Sequence, residues 1–340
     1  MALVLGIYWA FYYEDSSNNA NDSEKEKVFS LEWREVASST PFSPRDSHAS
    51  FVFQDKIWII GGLNGNGLVS KLRQIKYWQA PHFNDIWNSS DGLYWVKIET
   101  KNIWPARRSM SITDFKGALW MFGGWGPQTG YSSDLWKSED GVSWIKNEVT
   151  LPFEAREGQV AEVFGDKLFV MGGVNYDRRK TFNDVWYTED GFNWLLATST
   201  APWSSRWDFA LAEFNNRLYL MGGMNIVDDE FNDVWVSEDG INWALVTGSA
   251  PWASRQGHSA VGMGGRLWLF GRLNDAEHPG PNDMWSTNDA INWKNEGELP
   301  WDGREDFSSV IFRDKVYIIG GMGHDWTWRN DVWEGTLKSQ

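Results

Sequence analysis

Apolar residues in this chain come in short runs of alternating or near-continuous hydrophobicity, without a convincing helical period. Residues 231–243, FNDVWVSEDGINW, show the pattern best. An Asn-Asp pair leads into an alternating strand centred on Trp235, the turn Ser237-Glu238-Asp239-Gly240 follows, and a second strand ends on Trp243. Gly240 suits a turn position of positive φ, and the Asp before it is a favoured turn former, so the stretch predicts a hairpin. It recurs as FNDVWYTEDGFNW at 182–194 and FNDIWNSSDGLYW at 83–95, with looser copies at 133–144 and 282–293 and a half copy at 330–333. The segments between hairpins repeat as well. A loop carrying Pro-Phe or Pro-Trp reaches an Arg, an apolar strand such as 258–263 follows, and a second strand ends in a glycine pair, as in IWIIGG at 57–62. Each unit therefore predicts four short strands.

The second hairpin Trp marks the repeat at Trp33, Trp95, Trp144, Trp194, Trp243 and Trp293, with intervals of 49 or 50 after a first one of 62. Four-stranded units of this length are β-propeller blades, and self-similarity at a fixed period decides the fold class. The prediction is an all-β, six-bladed propeller over residues 31–340. The last unit stops after its third strand, while 31–36, LEWREV, is a fourth strand with no first three. Pairing the two closes the ring and removes exposed edges, which also predicts a monomeric propeller.

The glycine pairs Gly61-Gly62, Gly123-Gly124, Gly172-Gly173, Gly222-Gly223 and Gly320-Gly321, each followed by the aromatic hairpin, carry a resemblance to the kelch-repeat family, whose repeats also build the central domain of galactose oxidase. The resemblance implies a kelch-type six-bladed propeller. Repeat five departs, with Gly271-Arg272 and the turn Asn288-Asp289-Ala290, which predicts a locally distorted blade. The turns also resemble the Asp-box of sialidase-type propellers, but here Gly directly follows Asp, one residue short of that motif, so they read as turn chemistry.

Composition narrows the function. A formal charge of −15 argues against nucleic acid, which needs a basic face. With no cysteine there are no disulfides, no thiolate metal sites and none of the cysteine-linked tyrosine of galactose-oxidase-type copper enzymes. The five histidines lack metal-ligand spacing, and neither a phosphate loop nor a nucleophile elbow is present, so no metal or cofactor is expected. Residues 1–13 contain an apolar run that as a helix would reach about 18 Å, against a bilayer core of about 30 Å. A signal anchor that starts upstream and a partner-packed terminus both fit it. The polar stretch at 14–30 is expected to be a disordered linker. Together these favour an extracytoplasmic, periplasmic or cell-surface location, membrane-anchored through residues 2–13, with a cytoplasmic location as the alternative.

Of the 25 tryptophans, 19 occupy repeated positions and read as packing between blades, where their N–H groups need partners. Trp78, Trp125, Trp207, Trp326 and Trp328 lie in or beside variable loops, where packing symmetry does not demand them. Every blade also has an Arg entering its first strand: Arg45, Arg107, Arg156, Arg206, Arg255 and Arg304. These could ring the channel mouth as an anion receptor, or each could pair with the repeat carboxylate Asp85, Asp134, Asp184, Asp233, Asp283 or Asp331; recurrence of both members favours pairing. One residue on, symmetry breaks: Asp46, Arg108, Glu157, Trp207, Gln256 and Glu305. It breaks again after the glycine pairs, in a long loop carrying Lys71, Arg73, Lys76, Trp78 and His82 and in the last such loop with His324, Trp326 and Trp328. His48 and His258 share a position with Phe209 and Phe307, which predicts a packing slot.

The candidate mouth residues are therefore the six arginines with Arg108, Glu157, Trp207 and Glu305, and the candidate loop residues are Trp78, His82, Trp125, His324, Trp326 and Trp328. Aromatics beside hydrogen-bonding groups suit a protein or glycan ligand on a non-enzymatic binding propeller. Kelch-type propellers include sialic-acid mutarotases, which gives the alternative: an enzyme on acidic sugars using a mouth Arg with Glu157 or Glu305.

Overall fold

The computed structural model describes residues 29–68, 77–100, 103–273 and 280–339. They form six antiparallel sheets of four main strands, set around an axis as the blades of a propeller. In blade 4 the strands Ala210–Phe214, Arg217–Met221, Val234–Ser237 and Trp243–Thr247 are hydrogen-bonded in chain order. The inner strands of the other blades are Ala49–Phe53, Ser111–Phe115, Val160–Phe164, Ser259–Met263 and Ser308–Phe312. Inner strands of blades 3 to 6 line an axial cavity of about 790 Å³ that includes Glu162 and Glu213.

The ring closes as the chain ends predict. Strand Phe29–Ala37 pairs antiparallel with Trp328–Ser339, in register from Phe29↔Ser339 to Glu35↔Trp333 with a shift before Ala37↔Val332, and becomes the outer strand of blade 6. It begins two residues before the predicted 31–36, so Phe29 and Ser30 belong to the sheet and not to the linker. The apolar run and the rest of the linker lie outside the described residues, among which no helix is long and apolar enough to cross a membrane.

The repeated hairpin turn is fixed by side chain–backbone bonds. In blade 4 Gly240 N donates to Ser237 Oγ at 2.8 Å, and Ile241 and Asn242 N donate to Asp239 Oδ1 at 2.8 and 2.7 Å. Gly240 has φ 74° and lies on the ring of Phe169 in blade 3, where an added Cβ would sit 2.6 Å from ring carbon. The turn's polar atoms are consumed by the fold, as the reading of it as turn chemistry requires. Blade 5 corrects an expectation. Its turn keeps the same geometry, with Ala290 at φ 61° donating to Thr287 Oγ1 at 2.9 Å and Asp289 Oδ1 accepting from Ile291 and Asn292. Local hydrogen bonds impose the turn even where the Gly is missing. Likewise Gly271 retains φ 77°, and Arg272 donates Nε to Ser254 O at 3.1 Å.

The repeated tryptophans pack between blades as predicted. One cluster joins Phe169 and Met171 of blade 3 to Trp203, Leu218, Leu220 and Trp243 of blade 4. Partners for the indole N–H groups are less general than expected. Trp58, Trp120 and Trp268 donate to backbone carbonyls. Trp104, Trp203, Trp252 and Trp301 are buried with no partner on Nε1. Each is instead set edge-to-face against a hairpin Trp, as Trp104 is on Trp144 at 4.7 Å and 79°.

Candidate functional site

Each blade opens with the same four-residue device. Its first member is the repeated Arg. In blade 3, Arg156 Nη1 and Nη2 donate to Asp184 at 2.5 and 2.9 Å, Nη1 donates to Gly172 O, and Nε donates to Glu154 O. Asp184 Oδ2 also accepts Trp186 Nε1, and Phe182 stacks 3.6 Å from the guanidinium. Asn183, between them, reaches forward to Ala201 O and Trp203 O of the next blade. The Phe-Asn-Asp motif is therefore a joint: Phe covers the Arg, Asp anchors it, and Asn ties on the following blade. All six arginines pair with the predicted Asp and are 0–3 % exposed. This corrects their inclusion as mouth residues: Arg45, Arg107, Arg156, Arg206, Arg255 and Arg304 are sealed in the scaffold and offer no guanidinium to a ligand. Burial pushes the Asp85, Asp134 and Asp184 carboxyls up, but their arginines outweigh it and hold all three below the ordinary range.

The second member faces the mouth, held there by backbone bridges to the residue after a glycine pair: Asp46 to Leu63, Arg108 to Trp125, Glu157 to Val174 and Trp207 to Met224. The third takes a left-handed conformation in every blade, with φ between 49° and 63° at Ser47, Ser109, Gly158, Asp208, Gly257 and Asp306. Their peptides bond around the axis: Ser47 N to Asp306 O, Ser109 N to Ser47 O, Gly158 N to Ser109 O, Gly257 N to Asp208 O and Asp306 N to Gly257 O, at 2.8–3.0 Å. The fourth member plugs the gap over the first glycine of the preceding blade's pair, His258 on Gly222 as Phe209 is on Gly172. His48 and His258 are thus packing residues. Burial, then the neighbouring Arg45, lowers His48 to about 3, and burial, then Arg255, lowers His258.

On the loop side of this peptide ring lies a cavity of about 540 Å³. Aromatic rings from four blades wall it: Trp78, Trp125 with Tyr131, Tyr176 and Trp207. Trp78 is 60 % exposed, and Tyr176 meets Trp207 edge-to-face at 5.7 Å. Asp46, Asp177, Glu305, Asp306 and Gln256 also line it, with Arg108. Arg108 is bidentate on the buried Glu157, Nε to Oε2 at 2.9 Å and Nη2 to Oε1 at 3.1 Å. Ser47 Oγ donates to Asp306 Oδ2 at 3.2 Å. Asp46 is buried, and its Oδ1 has no hydrogen-bond partner. The carboxyls are crowded. Burial and then Asp306 push Asp46 well up, and burial with Asp306, Glu305 and Glu157 does the same to Asp208. Burial also raises Asp306 and Glu157, with Arg108 opposing it. The arrangement can stack a flat apolar face on its walls, accept hydrogen bonds on its floor, and hold or release protons there.

Of the sequence candidates, the cavity gathers Trp78, Arg108, Trp125, Trp207 and Glu305, with Glu157 directly behind. His82 lies one layer out, its ring 5.3 Å from Trp125 and its Nδ1 2.8 Å from Ala80 O; burial lowers it to about 4. Trp326 and Trp328 pack with Leu63, Ala80 and Met322 in a small core under the loops, so they support the wall from behind. His324 is outside the lining, fixed through its N–H to Gly303 O. Lys71, Arg73 and Lys76 lie outside the described residues. Sequence reasoning missed Tyr131, Tyr176, Ser47, Ser109, Asp208 and Asp306. The first two stand in loops after glycine pairs, and the others sit two residues past each Arg, where Ser, Asp and Gly, residues that tolerate positive φ, occupy all six blades.

Fold and site together define a six-bladed β-propeller with an aromatic, carboxylate-floored cavity at one end of its axis. No family model matches the chain, and no curated protein matches it. Among solved structures it is similar to one described as "Structure of YjhT", at 17 % identity and TM-score 0.69, over 89 % of this chain and 99 % of that one. A likeness at this identity carries the fold.

Proposed function

We propose that this chain is a binding propeller of the kelch type whose axial mouth takes a glycan. The observation that carries the reading is the cavity of about 540 Å³ in which aromatic rings from four blades stand over a floor of carboxyl groups. Its volume is within the roughly 300–1,000 Å³ of small-molecule sites. Sugars present apolar C–H faces that stack on Trp and Tyr, and hydroxyls that donate to carboxylates. A flat protein partner needs neither concavity nor a polar floor. Glycan-array screening of the full chain, followed by calorimetry with any hit, tests this. Saturable binding that Trp207→Ala weakens at least tenfold supports it, and indifference of binding to Trp207 and Trp125 would refute it. The same reading places the propeller outside the cytoplasm, which fractionation of the native protein tests.

A second reading makes the chain an enzyme on acidic sugars, like the mutarotases among the kelch-type propellers that its repeats resemble. Arg108 would then hold the sugar carboxylate, and Glu157 or Glu305 would move a proton. The crowded, proton-holding carboxyls favour proton transfer. The bidentate bond between Arg108 and Glu157 stands against carboxylate capture. Exchange NMR on sialic acid anomers separates the readings: interconversion no faster than in buffer removes the second.

A further inference from the structure

We propose that Asp306 is the floor group that accepts a hydroxyl of the sugar in the mouth, and that Asp208, hydrogen-bonded behind it, is the positioning residue that aims it. The inference rests on the glycan reading above and concerns which residues of that site read the ligand.

The placement comes from the third residue of each blade's device. Around the axis these are Ser47, Ser109, Gly158, Asp208, Gly257 and Asp306, so two aspartates flank a glycine. Asp306 N donates to Gly257 O at 2.9 Å and Gly257 N to Asp208 O at 3.0 Å, which sets the three side by side in the peptide ring. A Cβ on Gly257 would stand 2.9 Å from Asp306 Oδ1. The missing side chain is the space through which Asp306 leans toward Asp208, and the two carboxyls hydrogen-bond each other. Asp306 lines both the mouth and a chamber of about 180 Å³ beneath it, whereas Asp208 lines only the chamber.

Of the floor carboxyls, Asp306 is the one open to a ligand. Asp46 and Glu305 are 2 % and 8 % exposed, and Glu305 accepts from Gln256 Nε2 at 2.5 Å. Glu157 is held by Arg108, and Asp177 belongs to the loop wall beside Tyr176. Asp306 is half-buried. Its Oδ2 accepts from Ser47 Oγ, and a carboxylate has about four lone-pair sites, so acceptor capacity remains for a sugar O–H.

Asp208 supplies the aim. Two ionised carboxylates are acceptors only, so their contact requires a proton between them, whatever charges lie farther off. Burial and then the Asp306 charge push Asp208 well up, with Glu305 and Glu157 pressing the same way. Burial raises Asp306 too, but Arg108 opposes it, so the proton belongs to Asp208, which donates to Asp306. Asp46 shares the crowding with Asp306, while His48 and His258 in the chamber are lowered by burial and add no charge. Asp208 Oδ2 is shut off from water and meets no donor among the described residues.

The test uses the full chain and its Asp208→Asn, Asp208→Gly and Asp306→Gly variants. Asparagine and glycine both tolerate the left-handed backbone here, and glycine already stands at this place in blades 3 and 5. Calorimetry against maltotriose, cellotriose and triacetylchitotriose, all uncharged, reads affinity, and infrared difference spectra at neutral pH read the protonated carboxyl. Asp306→Gly should weaken binding about tenfold or more, and Asp208→Gly by a similar factor. Asp208→Asn, whose amide N–H takes the place of the donated proton, should stay within about threefold of wild type. The wild-type spectrum should hold a protonated-carboxyl band that Asp208→Asn removes, a readout that lost packing alone would not give. Binding that survives Asp306→Gly, an Asp208→Asn defect as large as that of Asp208→Gly, or spectra in which no band is lost would each overturn the inference while the glycan site stands. If wild type binds none of the three sugars, the glycan reading falls and the ligand role of Asp306 with it; the band then still decides whether Asp208 holds Asp306 through a proton.

Discussion

Glu162 lines the axial cavity from the inner strand of blade 3, with Glu213 on the inner strand of the adjoining blade 4. Burial first, and the Glu213 charge second, raise its carboxyl from 4.5 to about 7. At about 1.36 kcal/mol per pH unit this corresponds to roughly 3 kcal/mol, which partial exposure to water in the cavity reduces to about 2. The sign follows from linkage. A group whose pKa is higher in the folded protein than in the unfolded chain contributes stability that is complete below the unfolded value, and that contribution is lost as pH rises through the folded one. Wild-type protein should therefore lose about 2 kcal/mol between pH 4.5 and 8 on account of this residue. Glu162→Gln keeps the shape of the protonated acid and has nothing to ionise, so the variant should match wild type near pH 4.5 and exceed it at pH 8. Thermal melts of both proteins at half-unit pH steps give the answer as a difference of midpoints, a few degrees at the alkaline end. Glu213→Gln should make that loss smaller and complete it at lower pH, because removing the neighbouring charge eases ionisation of Glu162 without removing the acid. A difference that stays flat from pH 4.5 to 8 would refute the reasoning.

Three further outcomes follow from the scaffold. Asp184→Ala strips the partner from the fully buried Arg156 and should lower stability by about 3–5 kcal/mol, read from denaturant midpoints; a loss below 1 kcal/mol would show that the joint is not needed. Ala290→Gly relieves a left-handed alanine and should raise stability by about 1 kcal/mol, whereas Gly240→Ala, facing Phe169, should lower it by more than that in the same melts. Deleting residues 1–37 removes the outer strand of blade 6 and exposes the edge of strand Trp328–Ser339 along with the cluster around Leu31 and Trp33, so the shortened chain should aggregate or oligomerise by light scattering.

The amino-acid sequence by itself determined the propeller. A blade is a local object, four short strands joined by turns whose Gly, Asp and Ser serve neighbours only a few residues away, so its pattern repeats in print as it does in space. The six-fold Arg and Asp were legible as pairs for the same reason: a symmetric scaffold writes both members into every unit, as with Arg156 and Asp184. Closure by the first strand could be read from what each end of the chain lacked. The mouth was legible only in part. Symmetry breaking singled out Arg108, Glu157, Trp207, Glu305, Trp78 and Trp125, but not Tyr131 or Tyr176, which stand in loops of ordinary appearance, nor Asp306, whose place in the cavity depends on a left-handed turn at the axis. It also set Trp326, Trp328 and His324 beside them, though the first two fold inward under the loops and the last lies off the cavity. Burial could not be read from sequence either: the six arginines have the spacing of a receptor, and only their packing against Phe and Asp shows them to be sealed. Those facts depend on where six separate loops meet around one axis, and on which charges cancel there. Tertiary structure alone decides that, because the residues that share the cavity stand as many as 260 positions apart in the chain, as Asp46 and Asp306 do.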